Sequence, residues 1–285
     1  MTIQWFPGHM AKTKRLIQEQ LQLVDLVIEL GDARLPESSQ NPMLQKIING
    51  RKPVLLVLNK NDLADPNRTK FWIDKLSKEY NQKAIALSAT DSKAKIVKLL
   101  VESIYELTQE KRTRLENKGA KNVTMRAMIV GIPNVGKSTF INTLLGKNVV
   151  VTGNKPGMTR GKQWIRLSDD IELLDTPGIL WPKFENSNVG MKLAISGAIS
   201  DEVFVQEEGC YFLIKQCKDY YSKFFADRYS LDQDWVKKSD PYDVMLEIGK
   251  NRGCLLKGHR VDELKTAKLI LKDFRLGKIG RISLE

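Results

Sequence analysis

One eight-residue stretch, Gly131-Ile132-Pro133-Asn134-Val135-Gly136-Lys137-Ser138, constrains this chain more than any other. An apolar run of strand type, Met125 to Val130, leads into it, and Thr139 to Leu145 reads as a helix leading out. Glycine at both ends lets the backbone curl until its N–H groups face a common centre, at the positive end of the helix that follows. Lys137 adds a charge that can reach terminal phosphate oxygens, and the Ser138 hydroxyl can ligate Mg²⁺. Such a loop is built on an α/β sheet, where ligands bind at the carboxyl ends of the strands.

A second motif stands about seventy residues earlier. Pro53-Val54-Leu55-Leu56-Val57-Leu58 reads as a short buried strand that delivers Asn59-Lys60-Asn61-Asp62 to its carboxyl end. A carboxylate there can accept from both N1–H and the 2-amino group of guanine, which adenine cannot match, so Asp62 selects GTP over ATP. One strand later, Ala84-Ile85-Ala86-Leu87 leads into Ser88-Ala89, whose backbone can meet the guanine carbonyl. Past the phosphate loop, Ile171-Glu172-Leu173-Leu174 delivers Asp175-Thr176-Pro177-Gly178. The Asp would hold the hydration shell of Mg²⁺, and the Gly178 N–H would sense the γ-phosphate. Between the two phosphate motifs, Lys155-Pro156-Gly157-Met158-Thr159-Arg160-Gly161 is turn-rich, and its position makes Thr159 the choice for a second Mg²⁺ ligand. The expected nucleotide contacts are therefore Asn59, Lys60, Asp62, Ser88, Ala89, Asn134, Val135, Gly136, Lys137, Ser138, Thr139, Thr159, Asp175 and Gly178. All the parts of a GTP-binding domain are present, in cyclically shifted order.

In that order the chain resembles the circularly permuted GTPases of the YlqF/YawG family. The resemblance covers nearly all 285 residues and includes Trp5-Phe6-Pro7-Gly8-His9-Met10, Asp32-Ala33-Arg34-Leu35-Pro36 and the C-terminal Asp273-Phe274-Arg275-Leu276-Gly277-Lys278. It implies a GTP hydrolase that binds the large ribosomal subunit or its precursor, contacts rRNA and acts late in assembly. Ribosome-stimulated turnover would serve as a checkpoint. The reading from a different class is a nucleotide-gated RNA-binding module whose hydrolysis is incidental.

Charge bounds this reading independently. The formal net charge of +12 favours a polyanionic partner, and residues 250–281 concentrate ten Lys/Arg against three Asp/Glu. Either RNA contact or a solvated helix face accounts for that block; RNA contact is the preferred account. Three cysteines without zinc-ligand spacing make no disulfide framework, so a reducing compartment and no disulfide-linked partner are expected. No apolar run approaches membrane-spanning length, and a cytoplasmic protein without a membrane partner is the expectation.

Periodicity places helices at about 11–23, 42–48, 67–80 and 93–116 and strands near 24–30, 54–58, 84–87, 125–130, 162–167 and 171–174. The expected fold is a circularly permuted P-loop GTPase domain over residues 1–180, with a six-stranded, mostly parallel, doubly wound sheet. The basic run from Lys111 to Lys121 reads as an exposed connection joining the ends of an unpermuted domain. Residues 181–285 hold no convincing strand; 191–199, 210–227, 242–249 and 261–276 read as helices, the last closed by Gly277, forming a small all-α domain for RNA or ribosome binding. The permutation lets the chain pass from Gly178 directly into this domain, so nucleotide state is expected to govern its RNA-binding pose.

Catalysis is the least determined part. Hydrolysis needs a water in line with the γ-phosphate, and Ras-type enzymes orient it with a Gln just after Asp-x-x-Gly. Here that place is Ile179, which cannot hydrogen-bond a water. Two substitutes are open beside Lys137. Asn134 either holds K⁺ near the phosphates, as the resemblance to GTPases with a similar Asn implies, or only shapes the loop. His9 either orients the water or caps the first helix. Arg34 is assigned no catalytic role, since pairing with Asp32 or touching the ribosome explains it as well.

Overall fold

The computed structural model describes residues 8–48, 50–146, 163–176 and 186–285, apart from the side chains of residues 8–14 and 163. Helix α1 (Gly8–Leu21) precedes strand β1 (Leu26–Asp32), helix α2 (Pro42–Ile48) and strand β2 (Val54–Asn59). Then come α3 (Pro66–Tyr80), β3 (Lys83–Ala86), α4 (Lys93–Glu116), β4 (Met125–Gly131) and α5 (Lys137–Leu145). The hairpin strands β5 (Gln163–Ser168) and β6 (Ile171–Asp175) follow. Five helices complete the chain: α6 (Ser187–Ser196), α7 (Gln206–Tyr229), α8 (Gln233–Lys238), α9 (Pro241–Asn251) and α10 (Glu263–Arg275).

The six strands form one sheet in the order β3-β2-β1-β4-β6-β5, parallel except for β5, which runs antiparallel to β6. Strand β1 is one of the two central strands of a sheet covered by helices, and all seven of its residues are buried. Burial of a large aliphatic side chain contributes roughly 2 kcal/mol, so the continuous apolar run of a two-sided strand holds the centre. On one face Val27, Met128, Val130 and Leu174 pack with Ile17, Leu21, Leu44, Ile47 and Ile48 from α1 and α2. Glu29 is the exception inside β1. Burial pushes its carboxyl up to about 7, against the opposing effect of the Asn41 N–H, which donates to Oε1 at 2.7 Å.

Two expectations about this unit need correction. Strand β1 starts and ends two residues later than the 24–30 expected, because a strand buried on both faces shows no alternation of apolar and polar residues to mark its ends. The basic run after Lys111 is not simply an exposed connection: α4 continues to Glu116, Lys111 pairs with Asp25, and Arg112 Nη1 lies 2.9 Å from Asp170. Asp170 also accepts from the Tyr105 hydroxyl, at 2.9 Å, so α4 is tied to the β5–β6 turn.

The described residues divide into two compact units, the sheet unit and a helical unit that comprises the last hundred residues together with Leu63–Asp65. Within the helical unit α7 packs against α6, α8, α9 and α10. Asp262 caps α10 by accepting from Lys265 N at 2.9 Å, and Gly277, with φ +68, ends it. The N–H of Lys278 reaches back to Asp273 O at 2.8 Å, a Schellman closure. The three residues Leu63–Asp65 are bound to this unit by the C-terminal tail and by α7. Ile282 N donates to Leu63 O at 3.1 Å, Arg281 Nε to Ala64 O at 2.7 Å, and Tyr221 Oη to Asp65 Oδ2 at 3.0 Å. Helix α8 was absent from the sequence reading; six residues are too few to display a helical period.

Candidate functional site: the carboxyl edge of the sheet

Parallel register gathers the site. Asp32 at the end of β1 lies opposite Asn59 at the end of β2, Leu30 lies opposite Gly131, and Ile129 of β4 lies opposite Asp175 of β6. Four strand ends thus deliver the Asp32 loop, the Asn59 tetrad, the phosphate loop and Asp175 to one edge.

The phosphate loop is conformationally committed. Gly136 has φ +96, and a Cβ there would lie 2.5 Å from Asn59 Nδ2, so no other residue fits without displacing that amide. Gly136 is also the N-cap of α5 and supplies no side-chain cap, which leaves the first N–H groups of the helix for an anion. Asn134 and Lys60, which face each other across the site, both have left-handed backbones, with φ +56 and +60. Ser138 is half-buried, while the side chains of Asn134 on the loop and Thr139 in the first turn of α5 are exposed.

Asn59 braces the loops. It is 1% exposed; its Nδ2 donates to Val135 O at 2.7 Å, and its Oδ1 accepts from Ala89 N at 2.8 Å. The amide therefore joins the phosphate loop to the Ser88-Ala89 loop. A further tie is the Thr143 hydroxyl of α5, which donates to Ala89 O at 2.8 Å. Ser88 N donates to Asp91 Oδ2 at 2.9 Å. Partial burial would raise the Asp91 carboxyl, but that N–H and Lys95 outweigh it and hold it below its ordinary range. Asp91 was not singled out from sequence, although an Asp three residues after the Ser is a turn signal. Asp62 is exposed, and among the described residues its carboxylate makes no hydrogen bond.

At the phosphate end Lys137 Nζ lies 2.5 Å from Asp175 Oδ1, with the two side chains 7% and 0% exposed. Asp175 Oδ2 is buried and, among the described residues, has no hydrogen-bond partner. A desolvated acceptor of this kind costs free energy unless it is satisfied. Asp175 and the hydroxyl of Ser138, the residue after Lys137, supply oxygen donors of the hard type that suits Mg²⁺ with its retained waters. Thr176, next in the chain, is structural: its hydroxyl donates to Ile129 O at 2.6 Å. Thr159, Gly178 and Ile179 lie outside the described residues, as does the side chain of His9, whose backbone forms the second residue of α1.

Arg34 is 1% exposed and forks onto Asp32, with Nε 2.9 Å from Oδ1 and Nη2 2.7 Å from Oδ2. Of the two explanations open for it, the geometry supports the charge partner. The helical unit holds a second feature, a recess of about 400 Å³ whose lining includes Arg228, Arg252, Lys268, Lys272 and Lys278. His259 is exposed elsewhere in this basic segment.

Residues 126–223 match the family model described as a 50S ribosome-binding GTPase. A protein named ribosome biogenesis GTPase A from Priestia megaterium is 46% identical, covering 100% of this chain and 97% of that protein. The chain belongs to the YlqF family of GTPases. Mouse mitochondrial ribosome-associated GTPase 1 is 34% identical over 99% of this chain and 89% of its own length. Among solved structures, a GDP-bound YlqF superposes with a TM-score of 0.66 at 26% identity, covering 95% of this chain and 98% of that one. The GNP-bound YlqF from T. maritima gives 0.65 at 26% identity, covering 96% and 97%. As a YlqF-family protein the chain is a GTPase, with the P-loop domain expected from its motifs and the helical C-terminal region expected from the periodicity of its last hundred residues. Among the described residues no helix is long and apolar enough to cross a membrane.

Proposed function

We propose that the chain is a GTP-hydrolysing assembly factor that binds the precursor of the large ribosomal subunit, promotes its late maturation and uses particle-stimulated hydrolysis as a checkpoint. The observation that carries this reading is the Asn59 brace between the two nucleotide loops, at 2.7 and 2.8 Å. It makes one rigid guanine-and-phosphate cradle from segments far apart in the chain. Relatives bearing ribosome-related names supply the cellular context.

In the cradle Asp62 and the backbone of Ser88 and Ala89 read guanine. The N–H groups of Val135, Gly136, Lys137, Ser138 and Thr139 meet the phosphates, and Gly178 senses the terminal one. Lys137 exchanges its Asp175 partner for phosphate oxygens, which neutralises charge that develops on the leaving group. Ser138, Thr159 and Asp175 would hold Mg²⁺, the last through water; bound there, Mg²⁺ would supply Lewis-acid charge to the phosphates. Ile179 cannot position water, so Asn134 would hold K⁺, which would supply positive charge near the phosphates, and His9 orients the nucleophile. The basic recess of the helical unit contacts rRNA in the cytoplasm, with affinity set by nucleotide state.

Single-turnover GTP hydrolysis with and without large-subunit particles, in K⁺ and in Na⁺, tests this. Particles are expected to accelerate hydrolysis by about tenfold or more, with K⁺ faster than Na⁺. An unstimulated rate together with GTP-dependent particle binding would replace it with the gated RNA-binding module.

A further inference from the structure

The Lys60 ammonium is clamped at two points: Nζ donates to Asp32 Oδ2 at 3.0 Å and to Asn134 O at 2.9 Å. Both anchors come from other loops, and their effect is to fix the far end of a four-carbon stem that would otherwise sample many rotamers. Lys60 is the part-exposed member of the group, with a side chain 21% exposed against 2% for Asp32. Lys60 is the second residue of the tetrad that ends in Asp62, so this part-exposed, end-anchored stem belongs to the nucleotide-reading loop itself.

Asp32 is equipped to serve as such an anchor. Its Oδ1 accepts from Arg34 N at 3.0 Å and Arg34 Nε at 2.9 Å, and its Oδ2 accepts from Arg34 Nη2 at 2.7 Å and from Lys60. Burial alone would raise its carboxyl, but the charges of Arg34 and Lys60 outweigh that and hold it well below the usual carboxylate range. Arg34 by itself neutralises the carboxylate and satisfies three of its four contacts. The contact to Lys60 is thus not needed to bury Asp32, and it reaches across 28 residues to a nucleotide-reading loop.

We propose that Asp32 is a positioning residue for the purine: through Lys60 Nζ it holds the lysine stem flat as a platform on which the base packs, with the Arg34 fork bracing Asp32 behind it. This rests on Lys60 lying against the base. A prearranged platform strengthens binding by removing the ordering cost at the moment of association. It contacts the ring face and not the 2-amino group, so it serves GDP and IDP alike; discrimination between them stays with Asp62.

The test measures dissociation constants for GDP and IDP and steady-state GTP kinetics. Asp32→Asn is expected to weaken both nucleotides by the same factor, about tenfold for a charge-assisted contact, and to raise KM with kcat retained. Because Asp32→Asn leaves a buried guanidinium unpaired, Arg34→Met and Asp32→Asn/Arg34→Met provide a second comparison without that charge. The double variant should bind GDP about tenfold more weakly than Arg34→Met alone. In a Lys60→Met background the Asp32 substitution should add less than about twofold. Equal GDP affinity of Arg34→Met and the double variant, with Lys60→Met impaired, would overturn the role of Asp32 alone. Undiminished affinity in Lys60→Met would overturn the platform itself.

Discussion

Glu29 sits where the sheet is least able to hold a charge, in the middle of a strand buried throughout. Its carboxyl is raised from an ordinary 4.5 to about 7, chiefly by burial. In the unfolded chain it ionises near 4.5, so between that pH and 7 the unfolded state releases a proton that the folded state keeps. The stability associated with protonated Glu29 is therefore full below 4.5 and lost as pH rises through 7. Glu29→Gln mimics the protonated form and keeps an oxygen for the Asn41 N–H. It should melt like the parent at pH 4.5 and be more stable at pH 8, by up to about 3 kcal/mol. Urea unfolding of both forms across that range measures it, and a difference independent of pH would remove the assignment. Residue chemistry of this kind was only partly legible beforehand. That Lys137, Asp62 and Asp175 would stand at one edge could be anticipated, because each follows an apolar strand in a short motif. The Asp32–Lys60 link could not, because it depends on strand register bringing residues 28 apart to one point.

Elements were legible where their period was long. The 24-residue α4 was read to its last residue, whereas the two-sided β1 slipped by two and the six-residue α8 was missed. What no pattern announces is how closely two elements approach. Gly249 lies on the buried face of α9, and a Cβ there would lie 2.5 Å from Val261 Cγ1 and 2.6 Å from Thr266 Oγ1 at the start of α10. Thr266 is itself buried and commits its hydroxyl to Asp262 O at 2.8 Å, so it cannot simply turn away. Gly249→Ala must push α9 and α10 apart against an otherwise favourable helix propensity. Overpacking of that kind costs about 1–3 kcal/mol against the roughly 1 kcal/mol that Ala gains over Gly in a helix, so with contacts this short a net loss of about 1–2 kcal/mol is expected. Denaturation followed by the fluorescence of Trp235, which lies in the same unit, should show the loss. A variant as stable as the parent would mean that α9 and α10 have slack the distances deny.

At the scale of the molecule, sequence order sorts function into two units, and the helical unit carries no nucleotide motif. Its distinguishing chemistry is charge. Lys268 and Lys272 stand one turn apart on the exposed side of α10, Lys278 follows its cap, and all three line the recess with Arg228 and Arg252. The two arginines are already engaged: Arg228 forks onto Asp273, with Nη2 at 2.7 Å, and Arg252 reaches Arg228 O. Among the described residues the three lysines make no side-chain hydrogen bond or ion pair. A concave surface with fixed guanidinium groups and unpaired ammonium groups attracts phosphates, and each neutralised phosphate releases counterions. Replacing Lys268, Lys272 and Lys278 together by Gln should therefore weaken rRNA binding more at low salt than at high salt. If each lysine meets one phosphate of a duplex, the slope of log affinity against log salt should fall in magnitude by about 2–3. The substitutions lie on exposed positions and leave the Schellman closure of α10 in place, so the melting temperature should hold. Filter binding of large-subunit rRNA over a salt series, done with GTP and with GDP, separates two alternatives. A reduced slope in the GTP state assigns the phosphate contacts to this recess. An unchanged slope with lower affinity would put the backbone contacts elsewhere in the basic segment, since loss of a true phosphate contact must reduce the number of counterions released.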